Sequence, residues 1–130
     1  LGRLFTLGKA DNQTRKAWSA VVAAQAACMN ILRAGASLSA VRKEGIAALM
    51  SSGCEISSLP ATFLIGYEAG EMDSLDPEAP DIRLETGMTV VLAPTVLLAG
   101  FPVCCMDTYV IQSSCAIRLT QSEQGIIEIA

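Results

Sequence analysis

The stretch from Met88 to Met106 carries no charge, and an uncharged run of that length must either cross a membrane or disappear into a protein core. Pro94, Gly100 and Pro102 interrupt it, and it is rich in Val and Thr. Proline removes a backbone donor and stops a helix, whereas β-branched residues suit pleated backbone. Two strands joined by a turn at Ala99-Gly100 therefore fit the run better than one spanning helix, and no membrane partner is expected. Thr89 to Leu98 and Val103 to Ile111 read as those strands.

The preceding half has a different period. Arg3 to Gly8 reads as a short strand, followed by Asp11-Asn12 as helix caps. Trp18, Val21, Val22, Gln25, Cys28, Met29 and Leu32 then recur at helical spacing, which predicts a helix from about Asn12 to Arg33 with Gly35 just beyond its end. Ser37 or Ser39 can cap a second helix running to Gly53, with Leu38, Val41, Gly45, Ala48 and Leu49 as its apolar stripe. Ala40, Gly45, Ala47 and Ala48 keep that helix slim enough for close packing on a sheet or another helix. After Ala61 the pattern is strand-like: Thr62 to Tyr67, the two core strands, a Ser113-Ser114 turn into Cys115–Thr120, and Gly125 to Ile129. Helices followed by strands, with no repeat and no linker, predict one α+β domain over residues 1–130 on a mainly antiparallel sheet.

Composition narrows the function classes. Hydrophobic residues make up 52% and aromatics 5%, so the apolar share is aliphatic and hints at surface covered by a partner. The net charge is −4 without a Lys/Arg cluster, which argues against nucleic acid and does not demand a basic partner. Cys28, Cys54, Cys104, Cys105 and Cys115 are odd in number and irregular in spacing, so they form no disulfide framework and suit a reducing cytosol. Arg3, Lys9, Asp11, Arg15 and Lys16 interrupt the start where a signal peptide would be apolar. Glu68, Glu71, Asp73, Asp76, Glu78, Asp81 and Glu85 make an acidic loop whose spacing matches no EF-hand; it reads as solvated, with docking of a basic surface as the sharper alternative.

An ordered series of short motifs then points to a family. The run Gln25 to Gly35, the helix after it, Phe63-Leu-Ile-Gly66, Glu78-Ala-Pro80, Glu85-Thr-Gly-Met88, Leu92-Ala-Pro94, Met106-Asp-Thr108 and Leu119-Thr120 together resemble the C-terminal half of the pita-bread metallohydrolases: creatinase, prolidase, aminopeptidase P and methionine aminopeptidase. The resemblance implies half of a pita-bread fold, two helices packed on a curved, mainly antiparallel sheet. It also implies a site for two divalent metals held by Asp, His and Glu, which activate water and polarise a carbonyl.

The ligands do not carry over. By resemblance the His position falls on Phe63 and the two Glu positions on Ala93 and Met106, and the two Asp positions lie upstream of Leu1. The chain contains no His, and Asp107 is the only acid between Thr86 and Ser122. The expectation is a chain with no cofactor and no metal-dependent peptidase activity, acting as a binding or structural subunit. Its former active-site cleft would be lined by Phe63, Ala93 and Met106, with Val91 and Cys104 on the same strand faces and Asp107 adjacent. The occupant would be a protein or a small apolar ligand, as in a histone-chaperone subunit whose metal-free domain of this fold binds proteins; the plain alternative is a pocket filled by its own side chains. A second reading makes the chain one subunit of a dimeric or two-chain enzyme whose partner supplies the N-terminal half and covers the exposed strand edge. A third, metal-independent chemistry at Cys104 and Cys105, needs a base that the lack of His withholds.

Overall fold

The computed structural model describes residues 1–56 and 81–130, together with the backbone of residues 62–65. The element order is β1 (Phe5–Leu7), α1 (Asn12–Ile31), α2 (Leu38–Ser51), β2 (Glu55–Ile56), β3 (Thr62–Ile65), β4 (Thr89–Leu92), β5 (Thr95–Leu98), β6 (Phe101–Cys104), β7 (Asp107–Ile111), β8 (Ala116–Arg118) and β9 (Ile127–Ile129).

Both helices start where side-chain oxygens meet free backbone donors. Asp11 accepts a 2.7 Å hydrogen bond from the Thr14 amide, and Ser37 accepts one of 3.1 Å from Ala40, so each supplies a partner that the first helical turn lacks. Asp81 reinforces the second cap, accepting from the Ser39 amide at 3.0 Å and from the Ser37 hydroxyl. After α1 the chain turns through Gly35 at φ +82°, a conformation that a side chain disfavours. The two helices cross at Gly45, where a Cβ would lie 2.7 Å from the Cys28 Sγ. Gly45 thus sets how near the helices come, and Ala48 packs against the core, while Ala40 and Ala47 face outward.

The strands expected over Thr89–Leu98 and Val103–Ile111 are each broken in two. β4 stops before Ala93-Pro94 and β5 resumes at Thr95; β6 ends at Cys104 and β7 begins at Asp107. Pro94 has no N–H to give the ladder, which accounts for the break on its strand. The partner strand breaks at the same level, and the chain passes from a four-stranded antiparallel sheet, β3-β4-β7-β8, to a three-stranded one, β2-β5-β6. The β5–β6 hairpin closes through Ala99 at φ +50° and Gly100 at φ +81°, a pair of left-handed residues whose twist matches that of the flanking strands. Two features were not expected from sequence: the two-residue β2, which pairs with β5, and the parallel pairing of β1 with β9.

Burial divides the sheets into two faces. Val90, Leu92, Val96, Val103, Cys105, Tyr109 and Ile111 belong to the buried clusters formed with α1 and α2. Within β7 burial alternates strictly from Asp107 to Ile111, as a strand with one packed face requires.

One charge lies within this core. Asp107 is fully buried and its Oδ1 lies 2.7 Å from the Arg3 Nη2, itself almost wholly buried. Thr120 donates to the same oxygen, and Gln124 Nε2 donates to Oδ2 at 2.8 Å and to the Gln25 side-chain oxygen. Arg3 also donates to the backbone oxygens of Glu123 at 2.7 Å and Ser122 at 2.8 Å. Gln25 donates in turn to the carbonyls of Leu92 and Cys105, each at 3.3 Å. The cluster ties the N-terminal segment, α1, β7 and the C-terminal segment together. Burial pushes the Asp107 carboxyl upward, but hydrogen bonds from Arg3, Thr120 and Gln124 and the charge of Arg3 outweigh it and hold the group below the usual carboxylate range.

Two outcomes follow. Gly45→Ala is expected to destabilise the fold by about 1–3 kcal/mol, although Ala is the better helix former, because the added methyl overpacks Cys28. Adding Cys28→Ala should recover part of that loss, and strictly additive losses in denaturant melts would contradict the contact. For Asp107, a folded-state carboxyl held low means that the unfolded chain takes up the proton first on acidification. The stability it contributes is complete above about pH 5 and is lost as pH falls through the folded value. Asp107→Asn should therefore cost about 3–5 kcal/mol at neutral pH and flatten the fall of Tm between about pH 5 and 3. Parallel Tm–pH curves for the two proteins would contradict this.

Candidate functional site

The strand register decides which of the nominated residues meet. Phe63 pairs with Val91, Val91 with Thr108, and Leu92 with Asp107. One step beyond that last pair, Ala93 comes beside Met106. By alternation from the helix-packed residues, Val91, Ala93, Cys104, Met106, Thr108 and Val110 lie on the sheet face away from the helices. Phe63 joins this row through its backbone pairing; its side chain lies outside the described residues. Val91 and Ala93 are closed over, at 9% and 2% exposure, whereas Cys104, Met106, Thr108 and Val110 are half-buried.

Asp107 does not share this face. It points to the helix side, where its carboxylate is occupied by Arg3, Thr120 and Gln124. A residue one place from Met106 on a strand faces the other way, so Asp107 braces the fold and does not line the same cleft as Met106.

The vicinal thiols separate in the same way. Cys105 is fully buried among the helix-side residues and Cys104 is half-buried on the opposite face. Burial pushes the Cys104 thiol up, partly offset by the Thr95 hydroxyl. Burial and then the Asp107 charge push Cys105 up to about 11, and burial with the Glu44 charge does the same for Cys28. A raised thiol is less readily the thiolate that nucleophilic chemistry uses.

The N-terminal segment runs alongside this face. Gly2 bridges to Met106 through two backbone hydrogen bonds of 2.9 and 3.2 Å. A Cβ at Gly2 would come within 2.9 Å of the Met106 Cβ, so only glycine permits the approach.

A pair of divalent metals needs oxygen and nitrogen donors converging on one place. Ala93 offers no donor and Met106 only a thioether, and the chain has no His. Among the described residues, no three of the His, Cys, Asp and Glu side chains are grouped so as to hold a metal ion. The residues present do not fit a metal pair at this face. Of the acidic run, Glu68, Glu71, Asp73, Asp76 and Glu78 lie outside the described residues; Asp81 caps α2 and Glu85 is exposed.

Sequence reasoning missed Arg3, Thr120 and Gln124 as partners of Asp107, and Gln25 as the partner of Gln124. A signal existed, because a lone acid within an apolar run must be paired if it is buried. Its partners lie more than a hundred residues upstream at Arg3 and a short way downstream, and only the fold brings them together.

Comparison with known proteins places this arrangement. The chain matches solved structures over nearly its whole length: a dipeptidase from Pyrococcus horikoshii (TM-score 0.85, 23% identity, 98% of this chain and 36% of that one). An X-Pro aminopeptidase from Thermotoga maritima matches with TM-score 0.83 and 18% identity, over 98% of this chain and 36% of that one. An Xaa-Pro dipeptidase from Bacillus anthracis matches with TM-score 0.82 and 22% identity, again over 98% and 36%. No curated protein sequence matches. The chain thus spans about a third of the length of these solved relatives, and its two helices on antiparallel sheets are half of their pita-bread fold. No helix among the described residues is long and apolar enough to cross a membrane. The sequence model of metallopeptidase family M24 matches residues 1–121, and the chain belongs to that family.

Proposed function

We propose that this chain acts as a binding or structural subunit built on half of an M24 domain, through the sheet face on which its relatives hold metals, and not as a metal-dependent peptidase. One observation carries the reading. The positions that correspond to the family's His and Glu ligands are Phe63, Ala93 and Met106, neighbours in the strand register, and none is an oxygen or nitrogen donor. The rest of the face is apolar or neutral: Val91, Cys104, Thr108 and Val110. Such a face can bury apolar surface of a protein segment or a small apolar ligand but cannot activate water through a metal. The raised thiol of Cys104 supports binding over catalysis on this face.

A second reading has one observation of its own. Phe5, Leu7, Ile127 and Ile129 lie on one side of the β1–β9 ribbon, all exposed, with Leu7 at 90%. Exposed large side chains in a contiguous row mark a contact surface. A partner covering this row would be a second chain or a second copy of this one.

Affinity capture on the immobilised intact protein, from extract of its source cells, tests both. Thr108→Lys places a charge amid the apolar face and should weaken retention of the partner by about tenfold or more, as an unpaired charge in an apolar contact requires. Lys43→Ala on the exposed side of α2 should leave retention unchanged. Equal retention by all three proteins would contradict the first reading. A partner retained through Leu7 and Ile129, with divalent metal and peptidase activity in the complex, would establish the second in its place.

A further inference from the structure

A cavity of about 350 Å3 opens on the helix side of the sheet, remote from the face just discussed. It lies where α1 passes the edge strand β8. Helix α1 contributes Ala26, Met29 and Asn30, which the helical repeat places on one stripe, and the opposite wall is Tyr109, Arg118 and Gln124. Tyr109 and Arg118 are paired directly across β7 and β8, so their side chains leave the sheet together.

The polar groups of this cavity are unspent. Tyr109 is only 1% exposed, yet its hydroxyl makes no hydrogen bond among the described residues. The hydroxyl is reached from the cavity and is not sealed within the core, so it is available to a bound group. The Asn30 side chain likewise has no hydrogen bond among the described residues. Arg118 is ion-paired with Asp107 Oδ2 at 3.9 Å, beyond hydrogen-bond length, so its five donors make no hydrogen bond among the described residues.

The charge balance favours an anion. Asp107 is already satisfied by Arg3 at 2.7 Å, Thr120 and Gln124, and among the described residues no acidic side chain lines the cavity. Arg3 and Arg118 against Asp107 leave one positive charge over, carried by the guanidinium that faces the opening. Ala26 and Met29 supply an apolar wall beside it. The volume falls at the small end of ligand sites.

We propose that this cavity binds a small organic monocarboxylate. Its carboxylate pairs with the Arg118 guanidinium and accepts from the Tyr109 hydroxyl and the Asn30 amide, and its apolar body lies against Ala26 and Met29. A planar, forked cation is the residue suited to a carboxylate. The site shares no residue with the opposite sheet face, so it stands or falls apart from the function proposed there.

Benzoate, titrated into the 15N-labelled intact protein, is the probe, with benzyl alcohol as its uncharged counterpart. Benzoate should shift the side-chain amide signals of Asn30 and Gln124 saturably, with a millimolar or tighter Kd, and benzyl alcohol should bind at least about tenfold more weakly. Arg118→Gln should weaken benzoate by about tenfold and Tyr109→Phe by about threefold. Ala26→Phe, at an exposed helix position, should fill the cavity without disturbing the fold and abolish the shifts. No saturable shift up to about 10 mM, equal binding of benzyl alcohol, or benzoate binding unchanged in Arg118→Gln or Ala26→Phe would each overturn the proposal.

Discussion

The buried Asp107 carboxylate sits where four parts of the chain meet, and each part depends on the others to keep it paired. Arg3 reaches it from the N-terminal segment, Thr120 and Gln124 from the segment after β8, and Gln25 from α1 through Gln124. A charge removed from water is tolerated only when its lone pairs are filled, so loss of one partner leaves the others with an uncompensated ion. That coupling makes the N- and C-terminal segments part of one cooperative unit with the sheet. The parallel β1–β9 pair and the Gly2–Met106 bridge lie on either side of Arg3 and fix its backbone in register. Hydrophobic clusters hold the helices to the sheet, but this polar cluster determines which chain ends lie beside which strand.

Fixing Asp107 toward the helices also fixes what its neighbours can do. Cys105 shares its face and is buried with it, while Cys104, Met106 and Thr108 are turned the other way. The single acid of the core strands is therefore consumed in holding the fold together, and the opposite face receives none. Where the family resemblance implies carboxylates and imidazole, this face has Ala93 and Met106, with Thr108 beside them. On the function proposed above this face serves contact, and among the described residues Tyr109, Asn30 and Arg118 bring side-chain donors without a hydrogen bond to the helix side.

Much of this was legible in the residues themselves. The 3.6-residue spacing from Trp18 to Leu32 and the caps at Asp11 and Ser37 placed both helices to within two residues. The turn at Ala99-Gly100 was visible because glycine enters left-handed backbone freely, at Gly100 with φ +81°. The alternation of burial along β7 follows the period of a strand with one packed face. Other features were hidden for physical reasons. Alternation continues through Ala93-Pro94 and Cys105-Met106, so the hydrophobic pattern hides the interruption of the ladder, and Pro94 is its local sign on one strand. β1 and β9 are three residues each and pair across the whole length of the chain, beyond the reach of any local pattern. Asp107 was placed beside the cleft because sequence adjacency to Met106 is not spatial adjacency on a strand; the next residue always faces away.

The central claim is that an M24 half-domain here carries a ligand-binding face without metal donors. Native mass spectrometry combined with metal analysis, on the protein purified from its source, tests it most directly. The account predicts a chain mass free of stoichiometric divalent metal, alone or bound to a partner. One or more divalent ions bound per isolated chain would contradict it.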